Sequence, residues 1–304
     1  VYAMVSSGTS HAPYRYDHAK YVVIDRTTVL VVSENFKYNG FAPEGVSGNR
    51  GWGVVLHDPA TAVYFATVFQ EDLRSPSVVP YNGGPGRQEI LSTETHAPAF
   101  RPQTFTGATI RPVLAPDTSS QITALIASAE KSIDIEEAYI TNETRVILNP
   151  FLSAAIDASR RGVKVRVLLD SYWYNTEGNN DNDEMAALIN RIAAAEHLPL
   201  EGRLADLETS HLAKIHNKGV IVDGRRVLVS SINWNSNSPN FNREAGVIID
   251  HPGVAGYFTS VFEDDWNPAA RAPGTGTDYV KITVVLLVVG ALLGYKYYRR
   301  RRYS

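Results

Sequence analysis

Between residues 119 and 206 the apolar positions switch repeatedly between two periods. SSQITALIASAEKS, FLSAAIDASRRG and MAALINRIAAA carry Ile, Leu and Ala at helical spacing, whereas IDIEEAYI and VKVRVLLD are short apolar runs rich in β-branched residues. Strand-type runs separated by helical ones predict a sheet covered by helices, continued by LEGRLAD and then HNKGVIVD, residues 216 to 223. As a strand, HNKGVIVD points His216, Lys218 and Val220 to one face and Asn217, Gly219 and Ile221 to the other. A polar pair on one strand face is commonly just a solvated edge, so this pair alone carries little.

The string recurs. HAKYVVID (18–25) repeats HNKGVIVD, RTTVLVVSENF (26–36) aligns without a gap to GRRVLVSSINW (224–234), and NRGWGVVLHDPATAVYFATVFQEDL (49–73) aligns to NREAGVIIDHPGVAGYFTSVFEDDW (242–266). The alignment pairs Ser33 with Ser231 and Asn35 with Asn233. The copies lie too far apart in sequence for a solenoid, so the expectation is two similar α/β units packed about a pseudo-twofold axis, with both His-x-Lys strands at the shared interface.

A cleft holding two imidazoles, two ammonium groups, two hydroxyls and two amides suits an oxyanion with several oxygens, such as phosphate. Two histidines allow covalent catalysis, in which one attacks phosphorus while the other protonates the leaving oxygen and later deprotonates water. No cluster has zinc or calcium ligand spacing, so neither a metal nor a cofactor is expected.

The pattern H-x-K-x(4)-D, followed by Ser and Asn eight and ten residues after the Asp and present twice, resembles the phospholipase D superfamily of phosphodiesterases over nearly all of residues 10 to 267. The resemblance implies that His18 and His216 are the nucleophile and the general acid/base. It implies that Lys20 and Lys218, with Asn35 and Asn233, hold the phosphoryl oxygens, and that Ser33 and Ser231 support that cradle. Asp25 and Asp223 are structural in such proteins, and each here lies at a strand end before a turn. Val32 and Ser230 stand where the family usually has Gly.

A downstream carboxylate often orients the motif histidine in this family. Glu244 fits that role in the second copy, whereas Gly51 occupies the aligned position in the first. A carboxylate on one ring nitrogen raises the basicity of the other, which favours His216 as nucleophile and His18 as acid. The family pattern more often gives the nucleophile to the first copy, so both assignments stay open.

The copies are unequal in length. Only 17 residues precede HAKYVVID, so the first unit is expected to be N-terminally truncated by roughly one hundred residues and to expose sheet edge. Residues 1–73 are then the C-terminal part of the first unit, 74–108 a Pro-, Gly- and Ser-rich linker or long loop, and 109–267 the complete second unit. GGPGRQ in the linker lacks the spacing and Lys of a phosphate loop.

Residues 268–278 read as a flexible linker, and YVKITVVLLVVGALLGYKYY (279–298) as a transmembrane helix with Lys281 and Lys296 snorkelling. Arg299 to Arg302 form a basic tail, cytoplasmic by the positive-inside rule, with the catalytic units outside a prokaryotic cell membrane.

The net charge is −3, and more acidic still without the basic tail, so long-range attraction to nucleic acid is not expected. A phospholipid or other phosphodiester substrate at a membrane is favoured. An extracellular nuclease and a catalytically silent surface-binding module are the alternatives. His11, His57, His96, His197, His211 and His251 lack a repeated context, and Tyr139 and Trp173 follow predicted strands where packing explains them as well as substrate contact.

Overall fold

The computed structural model describes residues 1–5, 12–43, 45–81, 83, 95–96, 100–144, 147–178 and 181–268. The duplicated sequence appears as a duplicated motif. In the first copy β1 (Tyr21–Ile24), β2 (Thr28–Val32) and β3 (Gly53–Leu56) form an antiparallel sheet followed by helix α1 (Pro59–Leu73). The second unit adds β4 (Thr109–Ala115), α2 (Ser120–Ala127), β5 (Ser132–Glu137), α3 (Pro150–Arg160), β6 (Lys164–Leu169), α4 (Asn182–Glu196) and β7 (Leu200–Leu204). It then repeats the motif as β8 (Lys218–Val222), β9 (Arg226–Ser230), β10 (Glu244–Asp250) and α5 (Pro252–Trp266). The seven strands run in the order β7-β6-β5-β8-β9-β10-β4, with β5, β6 and β7 mutually parallel and the remaining pairs antiparallel.

Period-two alternation sorts the side chains into two layers. Val220, Val222 and Leu228 join Ile122, Ile126, Leu152 and Ile189 beneath α2, α3 and α4. Ile221, Val227 and Val229 point the other way, into a layer built with α5 and with Val29, Val31, Trp52 and Phe65 of the first copy. That second layer is where the copies meet, with the Trp52 ring 4.8 Å from that of Phe258. Helix starts follow local chemistry. The Asp58 carboxylate accepts the Thr61 N–H at 2.9 Å ahead of Pro59, and His251 Nδ1 accepts the N–H groups of Gly253 and Val254 in the aligned position.

The copies are locked by contacts that repeat with the halves exchanged. Arg50 grips Asp265 of α5 through two hydrogen bonds of 2.7 and 2.9 Å, and its counterpart Arg243 grips Asp72 of α1 at 2.8 Å. The His216 N–H donates to the Arg50 carbonyl at 2.9 Å, and the His18 N–H donates to the Arg243 carbonyl at 2.8 Å. Residues Val1–Trp266 accordingly form one compact unit. The match is not complete. Val22, Ile24 and Val55 are exposed on the first sheet, whereas their counterparts Val220, Val222 and Ile248 are buried, and among the described residues no strand pairs with the outer edge of β1.

One expectation is corrected. Among the described residues no helix is long and apolar enough to cross a membrane, so the structure does not support the transmembrane helix expected over 279–298. Those residues, the basic tail and most of the linker 268–278 lie outside the described ones, as do 82, 84–94 and 97–99 of the linker at 74–108. Twenty residues meet a span's length requirement, but that reading rested on length and composition alone.

Asp265 is buried and Arg50 half-buried, with the Asp264 carboxylate also near the guanidinium at 3.8 Å, so removing Asp265 costs the guanidinium its two hydrogen bonds. Asp265→Ala is expected to lower the unfolding free energy by about 3 kcal/mol, and Arg50→Met with Asp265→Leu by clearly less. Urea denaturation followed by circular dichroism checks both.

Candidate active site

Both motifs end up in one site. Lys20 and Lys218 are almost wholly buried, and each donates from Nζ to the carbonyl of its own motif histidine: Lys20 to His18 at 2.5 Å, Lys218 to His216 at 2.6 Å. Burial pushes the Lys20 ammonium down to about 7, against the pull of Glu244 and helped by repulsion from Lys218. Burial likewise pushes Lys218 down to about 8, with Glu137, Glu34 and Glu244 opposing. Each motif lysine thus senses carboxylates of both copies.

The histidines are oriented crosswise. Glu244, fully buried, takes the Nδ1 of His18 at 2.8 Å, so it serves the histidine of the other copy and not His216 as the sequence suggested. Its oxygens also accept from Ser231 Oγ at 2.6 Å, from Asn242 Nδ2 at 3.0 Å and from Ser238 Oγ. Although burial disfavours its charge, these bonds with His18 hold the Glu244 carboxyl below the usual range. His216 finds a different carboxylate: Glu34 Oε1 lies 3.2 Å from its Nδ1. The approach is close but not aligned as a hydrogen bond, a geometry common before a ligand tightens a site. Burial, then the nearby Lys218, push the His216 imidazole down to about 4, so it is neutral at neutral pH. In both rings the carboxylate faces Nδ1, which leaves Nε2 as the nitrogen for chemistry.

The remaining motif residues divide. Ser33 Oγ donates to Asn217 Oδ1 at 3.1 Å and accepts the Trp52 N–H at 2.9 Å. Its counterpart Ser231 accepts the Ala245 N–H at 3.0 Å. Both hydroxyls are therefore tied to the scaffold that holds the site. Asn233 is buried with its side-chain oxygen unpartnered, while Asn35 is half-buried beside Glu34. Asp223 accepts the N–H groups of Glu130, Lys131 and Ser132 at 2.7 to 3.2 Å and has no part in the site, and Asp25 takes the same left-handed turn. Among the described residues no three His, Asp or Glu side chains are grouped to hold a metal ion.

Sequence reading missed Glu34, together with the buried Glu136 and Glu137 on β5. Glu136 accepts from Asn217 at 2.6 Å, and Glu137 stands opposite Lys218 in the β5–β8 register. Burial pushes both carboxyls well above the usual range. The signal for Glu34 was available: it is a charge between Ser33 and Asn35 where the other copy has Ile232. Tyr139 accepts from Asn235 Nδ2 at 2.8 Å, and Trp173 is exposed.

Residues 122–266 match the family described as "Cardiolipin synthase, PLD-like domain". Two curated relatives are similar. The mitochondrial cardiolipin hydrolase of Chlamydomonas reinhardtii is 24% identical over 50% of this chain and 59% of its own length, and that of Danio rerio 27% identical over 37% and 44%. The chain thus spans about half the length of these curated relatives. Among solved structures, phosphatidylserine synthase of Haemophilus influenzae superposes with a TM-score of 0.59 at 16% identity, over 84% of this chain and 61% of that one, which establishes the fold. The matched family and both curated relatives carry the names of cardiolipin enzymes.

The depressed lysines set a pH dependence. As pH rises through about 7 and then about 8 the two ammonium groups lose their protons and the site loses its attraction for anions. Sulfate, whose charge is constant in this range, is expected to bind about tenfold more weakly at pH ~9 than at pH ~7 and to draw protons into the site on binding at the higher value. Calorimetry in buffers of different ionisation enthalpy measures both.

Proposed function

We propose that the chain is a phospholipase D-type phosphodiesterase or phosphatidyltransferase that acts on a phospholipid through a phosphohistidine. One observation carries the reading: two histidines, each with Nδ1 against a buried carboxylate of the other copy, share a site with two buried lysines. His216, neutral and the more buried of the two, is the nucleophile. Its Nε2 attacks phosphorus, the bond from phosphorus to the departing alcohol oxygen breaks, and that oxygen takes a proton from His18 Nε2. Water, or an alcohol in transfer, then gives its proton to His18 and attacks phosphorus, breaking the P–N bond. Lys20, Lys218 and Asn233 hold the non-bridging oxygens throughout.

A lipid substrate is favoured by the cardiolipin-acting names of the relatives and by the chain's acidic character, which gives no long-range pull on a polynucleotide. A nuclease activity is the second reading, since a local cation pair such as Lys20 and Lys218 serves any phosphodiester.

In the presence of EDTA, a phosphatidyl lipid labelled on its phosphatidyl moiety is expected to give an acid-labile adduct on histidine that His216→Ala abolishes. His18→Ala is expected to slow adduct formation by about 10²–10⁴-fold without removing the acceptor. Cleavage of single-stranded DNA alone in a parallel reaction transfers the assignment to a nuclease. An adduct that persists in His216→Ala reverses the two histidine roles.

A further inference from the structure

We propose that Glu34 is the positioning residue for His216, a carboxylate that has taken over from position 51 the task Glu244 performs for His18. The inference rests on His216 reacting as described above.

Aligning the copies places Gly51 opposite Glu244 and Glu34 opposite Ile232. One copy has its carboxylate at the start of strand β10 and an apolar residue after the motif Ser; the other has the carboxylate after the motif Ser and glycine at the position aligned with Glu244. Space shows that these are two solutions to one requirement. A Cβ built on Gly51 lies 2.2 Å from Glu34 Cγ and 3.3 Å from its Cδ, so the Glu34 side chain fills the room that a side chain at 51 needs. A Cβ cannot approach so closely, and only glycine at 51 admits Glu34 in this pose.

The asparagine that donates to the carboxylate is the same in both copies, although the carboxylate sits elsewhere. Asn242 Nδ2 donates to Glu244 Oε1 at 3.0 Å, and the aligned Asn49 donates from Nδ2 to Glu34 Oε2 at 3.2 Å. The Asn35 N–H adds a second bond to that oxygen at 3.2 Å, leaving Oε1 toward His216 Nδ1. Glu244 in addition binds two serines, whereas Ser33 turns away from Glu34 to Asn217. Glu34 is thus anchored by fewer donors, and the carboxylate of His216 is less committed to its surroundings than that of His18. Facing Nδ1, it keeps the proton there and directs the Nε2 lone pair at phosphorus.

Four variants test this with the rate of adduct formation, its pH profile and the imidazole ¹⁵N shifts of His216. Glu34→Gln, which keeps the shape, and Glu34→Ile are each expected to slow adduct formation at least about tenfold and to shift His216 away from the Nδ1–H tautomer. Gly51→Glu alone collides with Glu34 and is expected to be inactive, whereas Glu34→Ile with Gly51→Glu, which copies the arrangement of Ile232 and Glu244, recovers most of the rate. Wild-type rate and tautomer in Glu34→Gln overturn the proposal, and so does a double variant with a wild-type melting curve that stays slow. If the double variant does not fold, Glu34→Gln decides. Absence of an adduct from the wild-type protein overturns the phosphohistidine reading instead, and the ¹⁵N shifts of Glu34→Gln still report whether Glu34 orients His216.

Discussion

Everything in this molecule depends on the two copies of the motif completing each other. The arginine that precedes each carboxylate position is neutralised by an aspartate on the other copy's C-terminal helix, and its carbonyl receives the N–H of the other copy's motif histidine. Neither guanidinium can sit so deep without its carboxylate. The same few residues therefore serve two ends: they close the core between the copies, and they set the two histidine backbones in register. Glu244 and Glu34 then orient rings whose backbones are already placed.

The lysines show what this packing does to charge. Two ammonium groups buried in one site repel each other and lose solvation, and the nearby carboxylates only partly offset this. An arriving phosphodiester brings the missing negative charge, so the same desolvation that weakens the empty site strengthens the occupied one. Burial pushes the Glu136 and Glu137 carboxyls on β5 well above the usual range, while Lys218 pulls that of Glu137 back.

How much of this was legible in the sequence follows from its physics. Strand and helix periodicity predicted β5, α3, β6 and α4, because their apolar positions alternate cleanly with turns between them. The duplication placed His18, Lys20, His216 and Lys218 together, and the turn reading of Asp223 agrees with its three backbone bonds. Glu244 was recognised as a partner for a histidine but assigned to the wrong one, since alignment orders residues along a copy and is blind to contacts that cross between copies. Glu34 was missed because its role arises from an empty position elsewhere, and the expected C-terminal span finds no support because no helix among the described residues is long and apolar enough to cross a membrane.

The close fit of Glu34 against Gly51 also bears on how this site can drift. Exchanging this arrangement for the one around Glu244, one substitution at a time, passes through either two carboxylates in one space or none beside His216. Each single step back meets the same obstacle from the other side. Whether a substitution at one of these two positions is tolerated therefore depends on which residue occupies the other.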